Sequence, residues 1–399
     1  MPSSAAADAA AQIEALIGVA LGLARTTTAG RLVLTRLGAN LHPSWIREPL
    51  AGPVGSAIEA ATVAAAAPLR IREVEAILRD AWGVRRVEAT LDSLEIDPVA
   101  VTAIAQVHRG VHDGRSVAIK VLRPGLASAV RQDLALLDGL LTPLAGAFPA
   151  LDPAGLVREV RERVMDELDL EHEATMMRRF HRALRSGPVR APAPVSELCH
   201  ETVLVSEWLE GQPLFDGVGS RADTVAAALL TFVVGGLREG LVHCDLDRAD
   251  LRLLADGSVG VLDYGAVATV DRSRADHALA VLDAFLRGDA DALDDAVVAL
   301  GVLAPGSGES ALTVTRAVLG PLGEPAPSRL DIAAVNGVLS RLEDQEEAVL
   351  GLALAARLPP GDLYPARAIG QLCAQLAYLG ATGSWLELAR DALTRGWAA

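Results

Sequence analysis

The chain has 399 residues, 51% of them hydrophobic, enough to bury a sizeable core and to form about two or three compact units, which excludes a disordered chain. Its 51 acidic residues outnumber the 36 basic ones, and a formal charge of −15 with no local basic patch argues against a nucleic-acid partner. Cys199, Cys244 and Cys373 are too few and too scattered for a disulfide framework or a thiolate metal cage, so a reducing, cytoplasmic setting is the expectation.

From Ala9 to Leu41 the sequence is rich in Ala and Leu at helical spacing, and Glu14 with no basic residue before Arg25 disfavours a signal peptide. Pro43, Pro49 and Pro53 then interrupt it. Ile71 to Trp82 is an amphipathic helix closed by Gly83. Val87 to Val111 shows short apolar alternations, and the Asp113-Gly114 turn before Ser116 to Leu122 predicts a strand hairpin. Asp133 to Leu141 and Leu156 to Leu184 return to helical period. Val203 to Leu209 is a short buried strand, and Ala222 to Gly240, apolar on most sides, is a buried helix. Leu251 to Leu254 and Val259 to Leu262 form a second hairpin around Asp256-Gly257, and everything after about Asp271 reads as helix. The longest uncharged stretch, Ala368 to Leu386, contains Gln371 and Gln375 and a Gly380 to Gly383 break, which favours a core helix over a membrane span while leaving peripheral membrane contact open. These elements predict an α+β, two-lobed fold: a helical extension over 1–83, a sheet-bearing lobe with inserted helices over 84–209, and a helical lobe with C-terminal helices over 210–399.

Lys120 is the only lysine among the 36 basic residues. Where arginine replaces lysine at every other position, a surviving lysine points to a place that requires a compact ammonium. It lies in Val117-Ala-Ile-Lys120, on a strand from which an ammonium can reach the α- and β-phosphates of a nucleotide. The stretch Glu167-Leu-Asp-Leu-Glu-His-Glu173 offers carboxylates to hold it. His243-Cys-Asp-Leu-Asp-Arg-Ala-Asp250 sets Asp245 and Asp250 five residues apart between a buried helix and a small hairpin, the spacing of a catalytic aspartate and a magnesium ligand in a kinase loop. Asp263-Tyr-Gly265 follows the hairpin, where kinases carry their metal-binding Asp-Phe-Gly element. His243 itself reads as a packing residue, and hard oxygen ligands beside phosphates suit magnesium.

These motifs, with Ile104-Ala-Gln-Val-His-Arg109, Val117 to Gly125, Glu167-Leu-Asp169, Glu173-Ala174, Val203 to Gly211 and Arg357-Leu-Pro-Pro360, resemble the UbiB family of atypical kinases, also called the AarF or ADCK group, over about residues 30–380. The resemblance implies ATP and magnesium as cofactors. It implies that Lys120 contacts phosphates and pairs with Glu173, that Glu207 and Leu209 present backbone groups to adenine, and that Gln106 lies near the nucleotide. Asp245 becomes the catalytic-loop aspartate, and Asp263 a magnesium ligand with Asp250. The family's Ala-rich loop corresponds to Ala100-Val-Thr-Ala103. Two elements depart from the family pattern: Arg36-Leu-Gly-Ala39 stands for its Lys-x-Gly-Gln element, and Asp247 and Asp250 stand for a histidine and an asparagine. Three functions are implied: an ATPase or phosphotransferase linked to isoprenoid quinone or lipid metabolism, a nucleotide-sensing pseudokinase that regulates a partner, or a small-molecule phosphotransferase.

Overall fold

The computed structural model describes residues 67–83, 87–132, 153–185, 187–357, 359 and 361–398, with 27, 28 and 56. The helical stretches expected at Ala9 to Leu41 and Asp133 to Leu141, and the Arg36 to Ala39 element, lie outside the described residues, apart from Thr27 and Thr28. The first lobe opens with helix α1 (Ile71–Trp82), ended at Gly83, whose φ of 66° favours glycine. A helical turn, α2 (Val87–Thr90), follows where strand alternation was expected, so strand pairing begins only at Ser93.

Strands β1 (Ser93–Leu94), β2 (Ala100–Val101), β3 (Ala105–His112), β4 (Arg115–Leu122), and later β6 (Val203–Glu207), form an antiparallel sheet in which β1 and β2 both pair with β3 and the order continues to β4 and β6. Asp113 and Gly114 at the β3–β4 turn both take positive φ, as the Asp-Gly signal requires. Because side chains alternate across a sheet, the register divides its faces. Val121, Ile119 and Val117 with Val203 and Val205 pack against Val74 and Leu78 of α1, each of these two fully buried and contributing about 2 kcal/mol. Lys120 and its partners Val107 and Leu204 face the other way, towards the cleft.

Among the described residues, two longer helices lie between β4 and β6. α3 (Pro153–Asp166) and α4 (Leu170–Ala183) are distinct, broken at 167–169, where the Asp169 carboxylate caps α4 by accepting the Glu171 and His172 amides. A second sheet has the order β5 (Val189–Arg190), β10 (Val259–Val261), β9 (Leu251–Leu254), β7 (Gly211–Pro213), and the Asp263 turn follows its β10. The second lobe is built on α5 (Ala222–Glu239), long and apolar enough to cross a membrane and here lodged in the main core. β8 (Leu241–His243) pairs with β11 (Val267–Thr269), bracketing the catalytic-type loop and the Asp263 turn.

Beyond Ser273 come α6 (Ser273–Arg287), α7 (Ala290–Leu300), α8 (Gly308–Leu319), α9 (Ile332–Asp344), α10 (Glu346–Ala355), α11 (Leu363–Leu379) and α12 (Trp385–Arg395). The expectation of helix alone needs one correction. β12 (Ser328–Leu330) pairs with β13 (Ala381–Gly383), because the Gly380 to Gly383 break leaves an extended segment whose backbone needs a partner.

Candidate functional site

Lys120 sits at the centre of the cleft. Its Nζ donates to both oxygens of Glu173, at 2.9 and 2.8 Å, and to Asp263 Oδ2 at 2.8 Å. The Asp169 cap starts α4 so that Glu173 lies in its first turn, buried against the sheet. Burial works against the Lys120 ammonium, but Asp263 and Glu173 together outweigh it and hold the amine charged well above its ordinary range. Burial and then Asp263 push Glu173 up to about 7, with Lys120 opposing them. Asp263 Oδ1 accepts the Gly265 amide at 2.8 Å, which sets the carboxylate at the turn.

The loop from His243 to Asp250 forms the opposite wall. His243 is packed against Phe180, Phe232 and Tyr264, and its Nε2–H donates to the Asp263 carbonyl at 2.6 Å. Its Nδ1 is buried without a hydrogen-bond partner, and burial lowers its pKa, which favours the neutral ring; its ring contacts are those of a packing residue. Asp247 caps the short turn Arg248–Asp250 through the Ala249 amide. Asp250 is pushed well above the usual carboxylate range by burial, then by Asp263 and Asp247.

The sequence reading missed the groups that hold Asp245. Arg367 Nη2 and Gln371 Nε2, both on α11, donate to Asp245 Oδ1 at 2.7 Å each. Gln371 Oε1 accepts the Leu246 amide at 3.0 Å, and Gln375 donates to the Leu246 carbonyl at 2.8 Å. Arg367 also approaches Glu167 at 3.8 Å. One signal was available: Arg367, Gln371 and Gln375 recur every four residues on an otherwise apolar helix, which aligns three polar groups on one face.

Lys120, Glu173, Asp263, Asp250 and Asp245 therefore line one cleft, with their charges coupled. Gln106 does not join them. It lies on the sheet face opposite Lys120, fully buried, and its amide is bound to the backbone of Leu69 and to His108, so the expected side-chain approach to nucleotide is corrected. The Glu207 N–H is committed to the Ala193 carbonyl at 2.8 Å, and its side chain accepts the Ala193 amide; Leu209 follows β6 and packs beside Gly260.

The donor set fits magnesium in the way nucleotide enzymes hold it. Among the described residues no three carboxylate, imidazole or thiolate ligands form a ready cage. Magnesium, however, is commonly bound by one or two carboxylates plus substrate phosphates. Asp250, destabilised by burial and by neighbouring carboxylates, is the group a cation would relieve.

An antiparallel sheet whose lysine pairs with a helix glutamate, joined to a helical lobe that supplies an aspartate loop and an Asp-x-Gly turn, is the architecture of the protein-kinase-like class. Within that class residues 63–297, more than half the sequence, match the ABC1 atypical kinase-like domain, and the chain belongs to this family. Relatives include an uncharacterized aarF domain-containing protein kinase, chloroplastic, of Arabidopsis thaliana, 30% identical over 222 residues, 51% of this chain and 41% of that protein. A probable protein kinase UbiB of Vibrio cholerae is 29% identical over 229 residues, 54% of this chain and 40% of that protein. The chain thus spans about two fifths of the length of these relatives. Among solved structures, that of Rv3197 with erythromycin from Mycobacterium tuberculosis aligns over 100% of both chains with a TM-score of 0.67 and 25% identity.

Proposed function

We propose that this protein binds ATP with magnesium in the cleft between the two lobes and acts as an ATPase or phosphotransferase linked to isoprenoid quinone or lipid metabolism. The observation that carries the reading is Lys120, the single lysine, held by both oxygens of Glu173 and by Asp263. In this reading Lys120 binds the α- and β-phosphates and Glu173 fixes its position. Asp263 and Asp250 would hold magnesium, whose charge would offset that of the phosphates. Backbone groups around Glu207 and Leu209 receive adenine, and Asp245 accepts a proton from the attacking hydroxyl or water. The UbiB relatives are what brings quinone or lipid metabolism into this reading, and a cytoplasmic protein in peripheral contact with a membrane is part of the same proposal.

One observation favours a second reading, a nucleotide sensor with little turnover. Asp245, the group placed to take the proton, is already bonded to Arg367 and Gln371, and a carboxylate engaged by a cation is a weaker base. Two measurements decide. Thermal melting with magnesium and ATP or ADP is expected to rise by mass action. Phosphate release, with and without lipid or quinone acceptors, is expected to fall about a hundredfold or more in Asp245→Asn. No melting shift removes both readings, and a shift with equal rates in wild type and variant leaves the sensor. A macrolide belongs among the added ligands, since the neighbour that aligns over the whole chain was solved with erythromycin.

A further inference from the structure

Two side chains flanking the Ala100 to Ala103 loop also grip the stretch that leads into α1. Arg123 lies one residue beyond β4; its Nε donates to the Thr102 carbonyl and its Nη2 to the Ala67 carbonyl, each at 2.9 Å. Gln106, opposite Val101 in the β2–β3 pair, holds Leu69 at two points. Its Oε1 accepts the Leu69 N–H at 2.6 Å, and its Nε2 donates to the Leu69 carbonyl at 3.1 Å.

The same Nε2 lies 2.8 Å from His108 Nε2. An amide nitrogen only donates, so His108 Nε2 accepts and its Nδ1–H donates to the Glu95 carbonyl at 2.8 Å. Gln106 and His108 are both fully buried, where a polar group left without its partner is costly. Thr102 passes the grip onward, since its Oγ1 accepts the Ile104 and Ala105 amides at 3.2 and 2.9 Å. Residues 67–69 and the run from Glu95 to Ala105 are therefore fastened to one another through shared side chains rather than through direct backbone pairing.

We propose that Arg123 and Gln106 are positioning residues that couple the path of residues 67–70 to the placement of the Ala100 to Ala103 loop. In a kinase arrangement this loop covers the nucleotide phosphates, so the segment entering α1 and the bound nucleotide act on each other through this junction. The nucleotide half of the inference rests on the function proposed above; the mechanical half does not.

Hydrogen exchange measured by mass spectrometry on the full chain separates the two. In nucleotide-free protein, Arg123→Lys, whose point charge cannot bridge two carbonyls, is expected to speed exchange at Leu69 about tenfold, although the Leu69 amide is bonded to Gln106 and not to Arg123. Gln106→Leu is expected to speed exchange at Ile104 and Ala105, which it does not touch, by a similar factor. Exchange that changes only at each variant's own partners overturns the coupling, and Arg123→Lys, a surface change, decides it if Gln106→Leu does not fold. Adding magnesium and a non-hydrolysable ATP analogue to wild type is expected to slow exchange at both 102–105 and 69–73. Protection of the loop alone overturns the inference. Absence of any nucleotide effect overturns the proposed function and leaves the first comparison to decide the junction.

Discussion

The two walls of the cleft are built from opposite charge arrangements. On the sheet side one cation, Lys120, lies between two carboxylates with all bonds near 2.8 Å. On the loop side Asp245, Asp247 and Asp250 crowd into six residues, and the cation that answers them, Arg367, arrives from α11 and bonds Asp245. The first wall is complete as it stands, whereas the second is tied down at Asp245 and crowded with negative charge at Asp250. On the function proposed above, the phosphates are held mainly from the Lys120 wall and the proton is taken on the loop wall, with Asp250 serving the metal from the loop side.

The sharpest way to break the comparison is Lys120→Met. It strands Glu173, 1% exposed, beside Asp263, and the expected loss is about 3–5 kcal/mol in chemical denaturation, with nucleotide-dependent stabilisation abolished. Arg367→Met takes the cation from Asp245, which keeps its bond from Gln371, and removes the approach to Glu167, for about 2 kcal/mol. If the walls are separable, this second variant keeps the melting shift with magnesium and nucleotide; its loss would show that Arg367 belongs to the binding half as well.

Asp250→Asn sharpens the picture from the other side. Removing one of the crowded charges is expected to stabilise metal-free protein by about 1 kcal/mol and to weaken the stabilisation given by magnesium alone. The smallest effect belongs to His243. Burial sets its folded pKa below the unfolded value, so the native state binds fewer protons, and the stability it contributes is present above about pH 6.5 and lost as pH falls through the folded value. Denaturation midpoints of wild type and His243→Gln are expected to converge below that pH; parallel profiles would mean that folding leaves the His243 pKa unchanged.

Much of the site was legible because its motifs are local. Val117 to Lys120 lies on one strand, Asp245 and Asp250 share one loop, and Asp263 to Gly265 is one turn, so spacing alone carried their geometry. Gln106 shows the limit. Residue 106 belongs to the same strand pair as Lys120, but a period of two sends its side chain to the other face, and a buried amide takes whatever partners that face offers. Arg367 and Gln371 were illegible for another reason: they lie more than 120 residues from Asp245, and no local pattern pairs a polar stripe on one helix with a loop so distant.

Lys120, alone among the basic residues in being lysine, and the kinase order of the three aspartates follow from the sequence, because each expresses a local chemical demand, whereas Glu173 was singled out from its neighbouring carboxylates by the family resemblance. Only the tertiary structure decided that Asp245 is held by α11, that Gln106 faces away from the cleft and fastens Leu69, and that Arg123 joins Thr102 to Ala67. Those are contacts between segments far apart in the chain, and the sum of packing across the whole core, not any one stretch of residues, selects them.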